Sequence, residues 1–253
     1  MKSGRRAAKA AAHTAADIDA RALSDFGRRL RAWYRRSARD LPWRRTRHSY
    51  RILVSELMLQ QTQVSRVVPK YYEFLRTFPS LASIARAEPG RVLEAWTGLG
   101  YYARARNLHK LARLLTADGT RARVQLPSEP ASLRKLPGIG AYTAGAVASF
   151  AYEVRAPLVD TNVARVLSRV FAPSLSPKRP RDLKVLWSIA ERSLPRTGSA
   201  TWTHNQALME LGALVCTARV AHCTACPVSR GCATAAAARE RLAPPHRASP
   251  QTR

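Results

Sequence analysis

The sequence predicts an all-α fold, and three observations favour it. Apolar residues recur three and four positions apart along most of the chain, which is the period of helices that bury one face. No segment shows the alternation of apolar and polar residues that is typical of strands, and there is no internal repeat. Pro137 and the Gly-x-Gly turn at 138–140 precede a run of small apolar residues, as expected for two helices joined by a hairpin.

The composition indicates a polyanionic partner. The chain has 253 residues, and its 43 Lys and Arg against 16 Asp and Glu give a net charge of +27. The basic residues are spread along the chain, which favours nucleic acid over an anionic membrane. A charge that only keeps the protein soluble is the alternative. No apolar run approaches the roughly 20 residues that a bilayer span needs, so we expect no membrane partner.

Both termini are expected to be basic, disordered tails, at 1–17 and 241–253. A transit peptide is the alternative for the first of them. No signal peptide is visible, and the four cysteines are too clustered for a disulfide scaffold. We therefore expect a cytoplasmic bacterial protein associated with the nucleoid.

The helical elements follow from the apolar spacing. The first predicted helix spans 18–36, with an apolar face formed by Leu23, Phe26, Leu30 and Trp33. Further helices are predicted at 49–64, 67–76, 81–95, 105–117, 184–194 and 203–215, and two more begin near 141 and 161. Ser128 is the expected N-cap of a segment before the hairpin. Trp43, which lies beside arginines, is either a core residue or the wall of a pocket for a flat base.

Glu56 is the anomaly of the helix at 49–64. Apolar residues lie nearly all round this helix, and the helical neighbours of Glu56 include Ile52, Leu53 and Leu59. Burial would raise the pKa of this carboxyl group, as a general acid requires. A glutamate that pairs with an arginine or leans out to solvent is the alternative. The glutamines at 60, 61 and 63 indicate a surface that touches something polar.

Two glycine-rich turns indicate contacts with nucleic acid. Gly98 and Gly100 bracket Leu99, which we expect to be exposed, and Tyr101 follows. Apolar and aromatic wedges beside basic residues separate stacked bases, although a capping loop with core tyrosines is the alternative. At the hairpin 138–140, the first amides of the next helix form an anion site, which phosphate commonly occupies; an ordinary turn without a ligand is the alternative.

Asp160 precedes a predicted helix whose apolar face contains Val163, Val166 and Leu167. The position is typical of an N-cap. A carboxylate held by helix-terminal amides could also face a developing positive charge. The two roles are compatible.

The cysteines have the spacing Cys-x6-Cys-x2-Cys-x5-Cys between Cys216 and Cys232. A zinc site usually has two close pairs, whereas one close pair with two outlying thiols is more typical of a 4Fe–4S cluster. The sequence favours the cluster, while zinc and free cysteines stay open. The predicted ligands are Cys216, Cys223, Cys226 and Cys232.

The chain resembles the helix-hairpin-helix DNA glycosylases that carry an iron–sulfur loop, and within them the adenine DNA glycosylases (the MutY type). The resemblance covers about residues 22–240 and rests on four segments and the cysteine spacing. These segments are 41–44, 55–64, 96–110, and 136–148 with 160–163. It implies a six-helix domain at 48–156 and a cluster domain formed by 18–47 and 157–240. It also implies a monomer that binds double-stranded DNA in the cleft and flips the target base.

The resemblance implies the reaction and the site. Glu56 would protonate adenine mispaired with 8-oxoguanine or guanine, and Asp160 would stabilise the oxocarbenium-like sugar. Tyr142 and Asn162 would support the sugar side. The implied base pocket is Trp43, Arg44, Leu59 and Gln206. The implied DNA contacts are Gln61, Leu99, Tyr101, Gly138 and Gly140.

Tyr142 also indicates a monofunctional enzyme, because bifunctional relatives have a lysine there that forms a Schiff base. Two departures from the family stand out. Thr161 stands where the family usually has glycine, and its β-branched side chain makes the residue after Asp160 stiffer. We also expect these 253 residues to lack the C-terminal domain that helps relatives recognise 8-oxoguanine. A mismatch thymine-DNA glycosylase and a non-catalytic iron–sulfur DNA-binding protein are the alternative functions.

Overall fold

The computed structural model describes residues 14–117 and 124–242. Apart from one bridge between Cys216 and Ala221, these residues contain no β-structure, so the all-α prediction is confirmed for them. Their α-helices are α1 (Ala20–Ser37), α2 (Ser49–Leu59), α3 (Val64–Thr77), α4 (Leu81–Arg86), α5 (Pro89–Ala95), α6 (Ala103–Thr116), α7 (Pro130–Leu133), α8 (Ala141–Tyr152), α9 (Thr161–Phe171), α10 (Pro180–Ser193), α11 (Gly198–Leu214) and α12 (Ala233–Leu242). Short 3-10 helices lie at Ala15–Asp17, Pro42–Arg45 and Ser229–Gly231.

The helices form two groups that share one core. In the first group, α2 packs on α3 and α8, and α6 packs on α4 and α5. In the second group, α11 packs on α1 and α9, and α9 also contacts α10 and α12. The contact between α8 and α11 joins the groups. Because the buried core runs through both, the lobe boundaries at 48–156 and at 18–47 with 157–240 stay predictions.

Helix α8 brings an extended segment to the joint between the groups. Its residues are small, and a Cβ on Gly145 would lie 2.1 Å from the carbonyl oxygen of Pro157. The segment 153–160 therefore packs directly against the backbone of α8, and its last residue, Asp160, lies at the start of α9.

The helix predicted at 49–64 ends early. Helix α2 stops at Leu59, and Gln61 has a φ of 56°, a left-handed conformation that no helix continues through. Gln60, Gln61 and Gln63 therefore lie in the turn before α3 rather than on a helix.

Proline changes two other predicted segments. The helix predicted at 81–95 is divided into α4 and α5, since Pro89 lacks an N–H and favours a first helical position. For the same reason α7 begins at Pro130, and its N-cap is Glu129 rather than Ser128. The described part of 48–156 consequently holds seven α-helices, where six were expected.

The predicted tails differ from the structure at their inner ends. Ala15–Asp17 is a 3-10 helix in which Ala15 is buried and the amide of Thr14 donates to the Asp17 carboxylate at 2.7 Å. At the other end, α12 continues to Leu242. The rest of both tails, 1–13 and 243–253, lies outside the described residues. Among the described helices, none has the length and apolarity to cross a bilayer.

Candidate active site

A cavity of about 860 Å³ lies between α2, α8, α11 and the start of α9. It brings together ten of the residues that the sequence predicts for the site. These are Trp43, Arg44, Glu56, Leu59, Gln61, Gly140, Tyr142, Asp160, Asn162 and Gln206. Leu99, Tyr101, Gly138 and the four cysteines do not line this cavity.

Glu56 occupies the buried position that the helical pattern predicts. Its exposed fraction is 3%, and its Oε2 accepts a hydrogen bond of 2.7 Å from the Tyr142 hydroxyl. Burial raises the pKa of Glu56 to about 7, Asp160 adds to the rise, and Tyr142 and Arg44 oppose it. Among the described residues no ion pair involves Glu56, so its hydrogen-bond partner is a neutral phenol and not an arginine.

Tyr142 follows the hairpin directly, on the first turn of α8. Its hydroxyl donates to Glu56 and lies 3.8 Å from the sulfur of Met209. Burial and the two neighbouring carboxyl groups, Glu56 and Asp160, raise the pKa of Tyr142 well above its ordinary value. Tyr142 is therefore a neutral donor that fixes one oxygen of Glu56.

Asp160 is the N-cap of α9, as the sequence predicts. Its Oδ1 accepts from the Val163 amide at 2.7 Å, and its Oδ2 accepts from Asn162 Nδ2 at 3.3 Å. Burial raises the pKa of Asp160, while these amide donors and Arg165 counter the rise. The cap leaves the carboxyl group at the cavity wall, so both proposed roles fit one geometry.

The amide of Asn162 also connects Asp160 to the cysteine segment. Arg165 Nη2 donates to Asn162 Oδ1 at 2.8 Å and to the carbonyl of Gly212 at 2.7 Å. Arg165 Nε donates to the carbonyl of Cys216 at 2.9 Å. A continuous set of hydrogen bonds therefore runs from Cys216 to the carboxyl group of Asp160.

An ion-pair network forms the wall that faces Glu56. Arg44 donates to Glu210 Oε2 at 2.8 Å and to Gln206 Oε1 at 2.9 Å. Arg39 donates to both oxygens of Glu210, at 3.0 and 2.8 Å. Although Glu210 is fully buried, the two arginines hold its pKa at about 2.

Sequence reasoning missed Glu210 and Arg39. Gln206 and Glu210 are four residues apart, and this spacing places two polar side chains on one face of a buried helix. Only the fold shows that Arg44 reaches both. Trp43 is a core residue, with an exposed fraction of 6% and an edge-on contact with Tyr71 at a centroid distance of 5.5 Å. It also lines the cavity, and its role in binding a flat base stays a prediction.

A second groove, of about 330 Å³, adjoins the cavity and is lined by Gln61 and Tyr101 together with neighbouring residues. Both residues have a positive φ, 56° and 47°, and Tyr101 is 60% exposed. The expected exposure of Leu99 is wrong: its exposed fraction is 3%. Gly98 and Gly100, with φ of 91° and 68°, turn the chain so that Leu99 joins the core and Tyr101 points outward.

The hairpin has the geometry that its sequence predicts. Gly138 has a φ of 77°, and a Cβ there would lie 2.6 Å from the Cβ of Asn107. Gly140 is the N-cap of α8 and offers no side-chain cap, so no capping side chain covers the first amides of α8. These amides meet the requirement for an anion site.

The four cysteines surround one cavity of about 240 Å³ beside α9. Arg169 Nη1 lies 3.4 Å from Cys216 Sγ, and backbone amides of Val228, Thr234 and Ala235 face the sulfurs of Cys226 and Cys232. Within the described residues, no three His, Cys, Asp or Glu side chains are arranged to hold a metal ion.

Comparisons with known proteins agree with this architecture. Residues 54–189 match the HhH-GPD superfamily base excision DNA repair protein family. Adenine DNA glycosylase of Mycolicibacterium smegmatis is 46% identical over 202 residues, which are 79% of this chain and 66% of the relative. The human adenine DNA glycosylase is 39% identical over 223 residues, 85% of this chain and 40% of the relative.

Among solved structures, a thermostable thymine-DNA glycosylase superposes with a TM-score of 0.77 at 28% identity, covering 86% of this chain and 98% of that one. The chain thus spans just under two thirds of the mycobacterial relative, at 66% of its length, and nearly all of the solved structure. Since the family match covers more than half of the sequence, the chain belongs to the HhH-GPD superfamily of base excision DNA repair proteins.

Proposed function

We propose that this protein is a monofunctional DNA glycosylase that removes adenine mispaired with 8-oxoguanine or guanine. The observation that carries the proposal is the buried carboxyl group of Glu56, which shares a cavity with the helix-capping carboxyl group of Asp160. Two carboxyl groups in different environments are the equipment for cleaving a glycosidic bond. Relatives named adenine DNA glycosylase, at 46% and 39% identity, support the choice of adenine.

In this mechanism Glu56 is the general acid. The Tyr142 hydroxyl donates to its Oε2, which leaves Oε1 to carry the proton. Glu56 transfers that proton to a ring nitrogen of the flipped adenine, and the base leaves as a neutral molecule. The positive charge that develops on the sugar lies beside Asp160, whose carboxylate is stabilised by the amides at the start of α9. Water then completes the hydrolysis.

The base lies between Trp43, Leu59 and the network around Arg44 in this proposal. Arg44 Nε occupies Oε1 of Gln206, so the free group of that amide is its NH2. Gln206 therefore presents a donor to the base, and adenine offers ring nitrogens as acceptors. The phosphate backbone would contact the uncapped amides after Gly140. The charge of +27 supports double-stranded DNA as the partner. We propose in addition that the protein is a monomer and acts in the bacterial cytoplasm.

Tyr142 supports hydrolysis without strand cleavage. A phenol held at 2.7 Å from Glu56 cannot form the Schiff base that an amine would form with the sugar. Borohydride treatment during the reaction should therefore trap no stoichiometric covalent adduct with DNA. Trapping at the level of a bifunctional glycosylase would contradict this part of the proposal.

We also propose that the four cysteines hold a 4Fe–4S cluster. Four thiols around a cavity of about 240 Å³, with backbone amides and Arg169 facing the sulfurs, match the donor set and the hydrogen bonding of such clusters. When bound, the cluster braces the segment that Arg165 ties to Asn162. Absorbance near 400 nm, with about four irons per chain, is expected; stoichiometric zinc would contradict it.

A panel of three duplexes tests the activity. Purified protein is incubated with adenine opposite 8-oxoguanine, adenine opposite guanine, and thymine opposite guanine, and alkali then cleaves the abasic sites. We expect release of adenine, and loss of that release in Glu56→Gln with the fold and the cluster retained. No base release from any duplex would favour the non-catalytic DNA-binding protein.

The third duplex tests the second candidate, a thymine-DNA glycosylase. That candidate rests on the similarity to the solved thermostable thymine-DNA glycosylase, which superposes on this chain with a TM-score of 0.77. Thymine release without adenine release would establish the second candidate and overturn the first.

A further inference from the structure

Arg104 is a buried arginine whose described partners are all neutral. Its exposed fraction is 7%, and no carboxylate pairs with it among the described residues. Its Nη1 donates to the carbonyls of Leu57, Met58 and Gln60, at 2.6, 2.9 and 2.7 Å. These acceptors are carbonyls at the C-terminal end of α2, which have no partner within the helix. Half of the guanidinium group therefore caps the helix that carries Glu56.

The other half of Arg104 binds the loop that follows α5. Its Nη2 donates to the carbonyls of Leu99 and Gly100, at 3.0 and 2.9 Å, and its Nε donates to that of Tyr101 at 3.3 Å. The Arg104 guanidinium carbon also lies 5.5 Å from the centre of the Tyr101 ring. One planar group thus fixes two turns that are about 40 residues apart in the sequence.

Each of these turns ends in an exposed side chain on a strained backbone. Gln61 and Tyr101 have φ of 56° and 47° and line the same groove. Neither residue is a glycine, so the left-handed conformation persists only where surrounding contacts enforce it. Arg104 supplies such contacts on both sides of the groove, because it donates hydrogen bonds to the carbonyls of Gln60 and Tyr101.

We infer that Arg104 is a positioning residue for Gln61 and Tyr101, the two groove residues that would enter the duplex and are called here the wedge residues. It fixes them relative to Glu56, so that opening of the duplex and protonation of the base occur in one geometry. The inference rests on the proposed function. A lysine could not replace Arg104, because an ammonium group has no planar fork to hold acceptors on two segments at once.

The test compares a paired target base with one that needs no opening. Single-turnover adenine release is measured for wild type and Arg104→Lys on two duplexes: adenine opposite guanine, and adenine opposite a tetrahydrofuran abasic analogue. Misplaced wedges should slow release from the mispair by about 10- to 100-fold, and from the second duplex by less than about threefold because an unpaired base costs less to flip. Tyr101→Ala should show the same difference between the duplexes.

Two further variants keep the test decisive. Arg113→Lys, an exposed change on the same helix, should equal wild type on both duplexes. Thr62→Val removes a hydroxyl that contacts the carbonyls of Gln60 and Leu99 and accepts from Arg104. It should show the mispair-specific loss in milder form, and it decides the matter if Arg104→Lys does not fold. Equal losses on both duplexes, or no loss on either, would overturn the inference. Failure of wild type to release adenine from either duplex would instead overturn the proposed function.

Discussion

At the scale of single residues, the buried carboxyl group of Glu56 makes the stability of the protein depend on pH. Its pKa is raised from 4.5 to about 7, so the folded state binds the proton more tightly than the unfolded state does. The stabilising contribution is complete below pH 4.5 and is lost as the pH rises to about 7. At about 1.4 kcal/mol per pKa unit, the loss amounts to roughly 3 kcal/mol. Burial of Glu56 therefore lowers the stability of the protein above neutral pH, and in return it keeps the carboxyl group protonated for catalysis.

The first prediction is that Glu56→Gln stabilises the protein in a pH-dependent way. The amide keeps the hydrogen bond from Tyr142 and carries no charge to desolvate. At pH 8 the melting temperature should rise by about 6–12 °C, since each kcal/mol corresponds to roughly 2–4 °C for a chain of this size. At pH 4.5 the change should be close to zero. Thermal unfolding followed by circular dichroism at both pH values measures this, and an equal change at both would contradict it.

Some site residues could be predicted from the sequence because they break a pattern. Glu56 interrupts an apolar helix, and Asp160 precedes one at a capping position. Glu210 could not be predicted, because its partners Arg39 and Arg44 lie 171 and 166 residues away. The expected exposure of Leu99 could not be checked from sequence, because the positive φ values of Gly98 and Gly100 turn its side chain into the core.

At the scale of elements, the hairpin before α8 fixes the position of Tyr142, which lies on the first turn of that helix. Gly138 lets the turn approach α6, and Gly140 leaves the first amides of α8 without a side-chain cap. The presence and approximate position of most helices could be predicted from the apolar spacing, whereas the residues at which the helices end could not. Helix α2 ends before the left-handed Gln61, and Arg104 binds the carbonyls at that end through a contact between distant segments.

The second prediction concerns Gly138→Ala. The new Cβ would meet Asn107 at 2.6 Å on a backbone with a φ of 77°, so we expect a loss of roughly 2 kcal/mol in the free energy of unfolding. Gly90→Ala is the matched control, because nothing lies within 4 Å of its Cβ position and alanine favours a helix. Urea unfolding measures both. A Gly138→Ala protein as stable as the control would show that the turn tolerates a side chain.

At the scale of the whole molecule, the excess positive charge defines how the protein meets DNA. A net charge of +27 on 253 residues adds a sequence-independent attraction to any duplex. The cavity and the groove beside it then select the base. General affinity and selectivity therefore belong to different parts of the molecule.

The third prediction is a steep dependence of DNA binding on salt. If on the order of six phosphates are contacted, the dissociation constant for an undamaged duplex should rise about 1000-fold between 50 and 200 mM salt. Fluorescence anisotropy with a labelled duplex measures it. A change smaller than about tenfold would mean that few basic residues touch the backbone and that the charge mainly serves solubility.

The pH dependence of adenine release under single-turnover conditions tests the central claim, that Glu56 is the general acid. With a duplex containing adenine opposite 8-oxoguanine, the rate constant should fall about tenfold per pH unit above pH 7, as Glu56 loses its proton. Glu56→Gln should lower it by about 100- to 10,000-fold and abolish that alkaline limb. A rate that rises with pH through 7, or a variant that keeps most of the activity, would contradict the account.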